Sequence, residues 1–333
     1  MMDYKQEMDY AIKNGIAKYD DIFDFEGMEN EEQYKELYLF CRENLDIQHK
    51  RGDLPHSTFL YSNEYAVNAR ARKTENNQNA ILINIGLMCH CITKYLHNET
   101  LKDFIESKEP FFAAKFDRSL CYLAYQVTTQ FTYYHELGHL LQFSDIETGI
   151  ELHERSEEGE FDIMRHKVEI NADTYSAINI ATHIHQFIEK FPTDSINQEI
   201  VSKLITILGA CLLEYVFSFN NHTLYLEKYD HPHPFIRTLN IILNITNHFS
   251  RIPIFKERGI ELETNSLFNN IVNFHKKLED NKVFTSGFSN IVSRNDMEYD
   301  KIIQYISELI DFREDSKYKN AMFFWDKYVR MPD

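Results

Sequence analysis

The chain has 333 residues, 43% hydrophobic and 26% charged, with only ten Gly and seven Pro, so it reads as a folded globular protein rather than a repetitive or disordered one. Thirty-five Lys and Arg stand against 52 Asp and Glu, a formal net charge of −17. Such a balance repels phosphate-rich surfaces, which argues against nucleic acid and anionic membranes as partners.

Residues 1–50 are polar, acidic and helix-like, with Glu29, Glu31 and Glu32 marking an exposed turn or a helix start. Gly52 to Pro55 forms a break. Tyr65 to Lys73 alternates in character, Thr74 to Asn79 is a polar turn, and Ala80 to Leu87 is a short Ile-rich apolar run. Together these predict a small antiparallel hairpin. Helices are expected near 89–107, 118–143, 166–190, 196–218, 234–249, 262–278 and 297–312. The fold class is therefore α+β and mainly helical. A core at 56–250 is expected, with helical additions at 1–55 and 251–333.

Five cysteines are too few, and odd in number, for a disulfide-framed domain. Cys89-His90-Cys91 is too closely spaced for a zinc pair and reads as thiols at a helix start. The first thirty residues lack a basic start followed by an apolar stretch, so no signal peptide is expected. The apolar run from Leu204 to Phe219, interrupted by Glu214, falls short of the ~18–20 residues of a membrane span and reads as a core helix. The expected location is cytoplasmic.

The segment that carries chemistry is Thr132 to Leu141, which contains His135-Glu136-Leu137-Gly138-His139. On a helix, positions i and i+4 share a face, so His135 and His139 can reach one metal ion. Neutral imidazoles suit Zn²⁺ and leave room for a carboxylate and a water. Glu136 stands beside the first ligand, where it can take the water's proton as a general base. Downstream, Glu169 and Asp173 also lie at i and i+4. Glu169 is the expected third ligand, and Asp173 the carboxylate that fixes a ligand imidazole, His135 being the nearest choice. His153 and His166 are rival ligands ranked below Glu169. Asp230-His231-Pro232-His233-Pro234-Phe235-Ile236-Arg237 holds a His and an Arg on a Pro-stiffened backbone. His231, with Arg237, is expected to donate hydrogen bonds to an oxyanion, and Tyr225 is a substitute for that role. The acidic stretch 147–162, with Glu147, Glu151, Glu154, Glu157, Glu158, Glu160 and Asp162, is either a solvated connection or a lid over the cleft. His183 and His185, two apart, point to different helix faces and read as structural or surface residues.

These three motifs, in this order, resemble the glutamate-liganded zinc peptidases called gluzincins. The pattern is similar to the HtpX and CAAX-protease group and to the Lit-type phage-exclusion peptidases. The likeness covers about 80–237. It implies a zincin-like core with Zn²⁺ on His135, His139 and Glu169, and hydrolysis of a protein or peptide substrate. It also implies that Ile81 to Leu87 is an edge strand lining the cleft, onto which an extended substrate would add. HtpX and CAAX proteases are membrane proteins and this chain has no expected span, which favours the Lit-type comparison and with it cleavage of a translation elongation factor during phage infection. The alternative is a catalytically silent zincin-fold module, regulatory or toxin-like, that works by binding a protein partner.

Overall fold

The computed structural model describes residues 2–74, 76, 78–113, 118–142, 150–153, 161–219, 224–293 and 299–310. In chain order the elements are α1 (Tyr4–Lys13), α2 (Glu31–Arg51), β1 (Ser57–Ser62), β2 (Ala69–Lys73), β3 (Asn79–Asn84), α3 (Ile85–Cys91) and α4 (Glu99–Lys108). They continue with α5 (Pro110–Ala113), α6 (Leu120–Gln142), β4 (Ile150–His153), α7 (Ile163–Ile188), α8 (Gln198–Phe217) and α9 (Pro234–Arg251). The last described elements are α10 (Pro253–Glu257), α11 (Thr264–Asp280), α12 (Phe288–Val292) and α13 (Tyr299–Leu309). One apolar core runs from Tyr4 to Leu309.

The sheet is mixed, in the order β1-β3-β2-β4. The expected hairpin is present: β2 pairs antiparallel with β3, Ala71 opposite Ile81, and the turn is tied by the Thr74 N–H to the Gln78 carbonyl at 2.9 Å. Two features differ from expectation. The Ile-rich run leaves the sheet at Asn84, and Ile85 already begins α3. A Cβ on Gly86 would stand 2.1 Å from the Tyr65 carbonyl oxygen, so this strand-to-helix junction closes only around glycine. β3 is also not an edge strand, because β1 pairs with it in parallel on its other side, Phe59 opposite Ile81.

The outer edge of β1 is closed by the N-terminal segment. Glu7 accepts from the Phe59 N–H at 3.3 Å, the Tyr4 hydroxyl accepts from the Tyr61 N–H at 3.0 Å, and the Phe23 N–H donates to the Tyr61 carbonyl at 2.9 Å. Arg42 bonds both Glu7 at 2.9 Å and the Ser57 carbonyl at 2.5 Å. Side chains, together with an antiparallel backbone bridge between Ile22 and Ser62, thus take the place of a fifth strand, which blocks pairing at that edge.

The single helix expected over 89–107 is two helices. α3 runs on through a π turn, Ile92–Leu96, and the Asn98 side chain then accepts from the Leu101 N–H to start α4. α8 is long and apolar enough by composition to cross a membrane, yet it lies mostly buried inside the fold. Its Glu214 is buried and paired, 2.8 Å from both Lys94 Nζ and His275 Nε2.

The site rests on α6, α7 and α9. In α6, Gln126 is half-buried and every other residue is buried, as befits a helix whose only formal charge is Glu136. α7 packs closely on it. A Cβ on Gly138 would lie 3.3 Å from Ala172 Cα, and Ser176 Oγ donates to the Phe131 carbonyl at 2.8 Å. The small residues of the two motifs therefore set how near the two helices come.

Candidate metal centre

Helical spacing puts His135 and His139 on one face of α6, and the approach of α7 brings Glu169 to the same point. The three side chains are buried, and their donor atoms form a tight triangle. His135 Nε2 and His139 Nε2 are 3.0 Å apart, and each lies 3.3 Å from an oxygen of Glu169. Ligand atoms about 2.0–2.2 Å from a tetrahedral Zn²⁺ stand about 3.3–3.6 Å from one another; the two His–Glu169 separations match this, and the His–His separation is slightly shorter. Two imidazole nitrogens facing each other in a buried site also need a shared cation or proton between them. Among the described residues the donor set is two nitrogens and one carboxylate, which could hold a metal ion.

Glu136 is fully buried beside His135. Asp173 lies where the sequence puts it: its Oδ1 is 3.0 Å from His135 Nδ1. A carboxylate at that distance favours the hydrogen on Nδ1, and Nε2 faces Glu169.

Arg237 departs from expectation. Its Nε donates to Asp173 Oδ2 at 2.9 Å and its Nη2 to Oδ1 at 2.8 Å. This bidentate, buried clasp replaces the expected oxyanion role, because the fork is already matched to the two oxygens of a carboxylate. Arg237 acts on His135 through Asp173. Burial pushes the Asp173 carboxyl up, but the Arg237 guanidinium outweighs it and holds the pKa below the usual value.

His231 Nε2 is 3.5 Å from Glu169 Oε1, and its Nδ1 is 2.9 Å from Asp230 Oδ1. Arg165 in turn donates to Asp230 Oδ2 at 3.0 Å. Burial disfavours a charged His231 ring, but the Glu169 and Asp230 carboxylates outweigh it and raise its pKa. That shift favours the charged ring, the form in which Nε2 also carries a hydrogen.

Tyr225 turns away from the oxyanion role, donating to the His231 carbonyl at 3.4 Å. His166 is no ligand. Its Nε2–H donates to the Tyr229 carbonyl at 3.0 Å and its Nδ1 is hydrogen-bonded to the Tyr305 hydroxyl. The side chain of the other rival, His153, lies outside the described residues, as does most of the acidic stretch 147–162, whose described parts are the backbone of β4 and Phe161–Asp162. His183 packs on α6 instead, 2.8 Å from the Tyr134 hydroxyl.

A second group, Glu214, His275 and Glu279, also converges. There the Lys94 ammonium and the N–H groups of Thr285, Gly287 and Ser289 already meet the carboxylates, at 2.7–3.3 Å. It reads as an ion network that locks α11 to α8. Sequence reasoning missed Gln142, Asp230 and Arg165 in the main site. The sequence signals were the position of Gln142, three residues after His139, and of Asp230, directly before His231; Arg165 had none.

Burial pulls the His135 pKa down, but Asp173 and Glu169 outweigh it and hold it up at about 10. The metal-free ring is therefore biased toward its charged, doubly protonated form, and a metal at Nε2 would displace one of the two protons. Zinc binding is expected to release about one proton near pH 7–8 and to strengthen about tenfold per pH unit there. Calorimetry in buffers of different ionisation enthalpy reads this directly; a buffer-independent heat would contradict it.

Comparison with protein-family models, curated proteins and solved structures gives no match to this chain.

Proposed function

We propose that this protein is a cytoplasmic zinc-dependent endopeptidase of the gluzincin type, with a zincin-like core. The observation that carries the reading is the buried triangle of His135, His139 and Glu169 with Glu136 next to it. Three protein ligands suit a catalytic ion, since structural zinc sites are closed four-ligand sets rich in Cys. Zn²⁺ held there would polarise a peptide carbonyl and lower the pKa of a water in the open position.

Glu136 takes the proton from the attacking water and passes it to the leaving amine. His231, its Nδ1 anchored by Asp230, donates from Nε2 to the carbonyl oxygen as that oxygen gains charge. Asp173 and Arg237 hold the His135 ring in place. The substrate is an extended protein segment. With β3 central and the β1 edge closed, we assign substrate pairing to β4, the other edge of the sheet.

The test is a search for new N-termini in a cell extract incubated with the zinc-loaded protein. New termini that disappear when zinc is removed by a chelator are expected. An unchanged set of termini, with zinc bound, would favour a partner-binding module instead.

A further inference from the structure

We infer that Gln142 is the positioning residue of the second zinc ligand, His139, and that it ties this ring to the turn of α7 that presents Glu169. The inference rests on the zinc reading above. Gln142 ends α6 and is 2% exposed. Its amide nitrogen donates to the Val168 carbonyl at 3.0 Å and to Asn171 Oδ1 at 2.9 Å. Both amide hydrogens are thus spent on α7, which fixes the orientation of the group. Its Oε1 must then face His139, and it lies 2.9 Å from Nδ1. A carbonyl oxygen only accepts, so Nδ1 carries the hydrogen and the Nε2 lone pair is left for the metal.

The two histidine ligands are therefore backed by unlike partners. His135 leans on a carboxylate, Asp173, itself neutralised by Arg237. His139 leans on a neutral amide, which adds no charge to the site. Val168 directly precedes Glu169, so one carboxamide sets the ring of one ligand and the backbone beside another. A carboxylate in place of Gln142 would keep the acceptor for Nδ1 but would set its other oxygen against the Val168 carbonyl and Asn171 Oδ1.

The experiment uses the full-length protein with ¹⁵N-labelled histidine, together with zinc affinity measured against a competing chelator. In the wild type, zinc is expected to bind and both ligand imidazoles are expected to be protonated at Nδ1 and coordinated through Nε2. Coordination of His139 through Nδ1 would overturn the inference without any variant. Gln142→Met, of similar shape but with no hydrogen bonds, is expected to weaken zinc binding about 10–100-fold. It is also expected to expose the His139 Nδ1–H to exchange while the His135 signal stays. A variant with a lower melting temperature but unchanged zinc affinity and imidazole signals would reduce Gln142 to a helix-end packing residue. Absence of zinc from the reconstituted wild type would instead remove the zinc reading itself.

Discussion

Glu136→Gln is expected to keep zinc and to lose hydrolysis. The substitution preserves shape in a fully buried position. It leaves the donor triangle of His135, His139 and Glu169 untouched. What it removes is the only group on α6 able to accept the water's proton beside the metal. Positioned proton transfer contributes about 10²–10⁴ in rate, so turnover should fall by that factor, about 3–5 kcal/mol in barrier. The measurement pairs zinc content with the rate of cleavage of a substrate found by N-terminal labelling. Equal rates would show that Glu136 is not the base. Loss of zinc would show that it is a ligand.

Arg237→Met carries the second large effect, and it falls on stability as well as on the site. The Arg237–Asp173 pair is bidentate and buried, Asp173 being 0% exposed. Removing one partner of such a pair leaves an uncompensated buried charge, at a cost of about 3–5 kcal/mol. The pH dependence has a definite sign. A carboxyl held below its unfolded pKa contributes stability that is present above that unfolded value and is lost as pH falls through the folded one. Without Arg237 that contribution is lost, so the stability gap between wild type and variant should be widest near neutral pH and narrow as pH falls through the folded Asp173 pKa. Urea titrations across a pH series read both effects; no stability loss at neutral pH, or a gap that does not narrow in acid, would contradict them.

The parts of the site legible in the sequence are those set by helix periodicity. His135 and His139, and then Glu169 and Asp173, are i and i+4 pairs, and such pairs share a face wherever the helix goes. The Gly138–Ala172 approach that brings the two helices together was half visible, in the small residues of the second motif. Arg237 was read as an oxyanion donor because a sequence shows which groups it carries and not which partner they meet 64 residues away.

The same limit explains the sheet. The β2–β3 hairpin is local and was expected. β1 was missed because Ser57–Ser62 is short, is buried along its whole length and pairs in parallel with a strand two elements on. That one missed strand turned the expected edge into the centre of the sheet. The closing of the β1 edge depends on side chains of Tyr4, Glu7 and Arg42 and on a short backbone bridge at Ile22, whose placement no alternation pattern reveals.

Metal content by mass spectrometry, on wild type and Glu169→Ala purified without added metal, tests the three-ligand site most directly. Near-stoichiometric zinc in the wild type and strong loss in the variant are expected. Zinc unchanged in Glu169→Ala, or no zinc in the wild type even after reconstitution, would contradict the site.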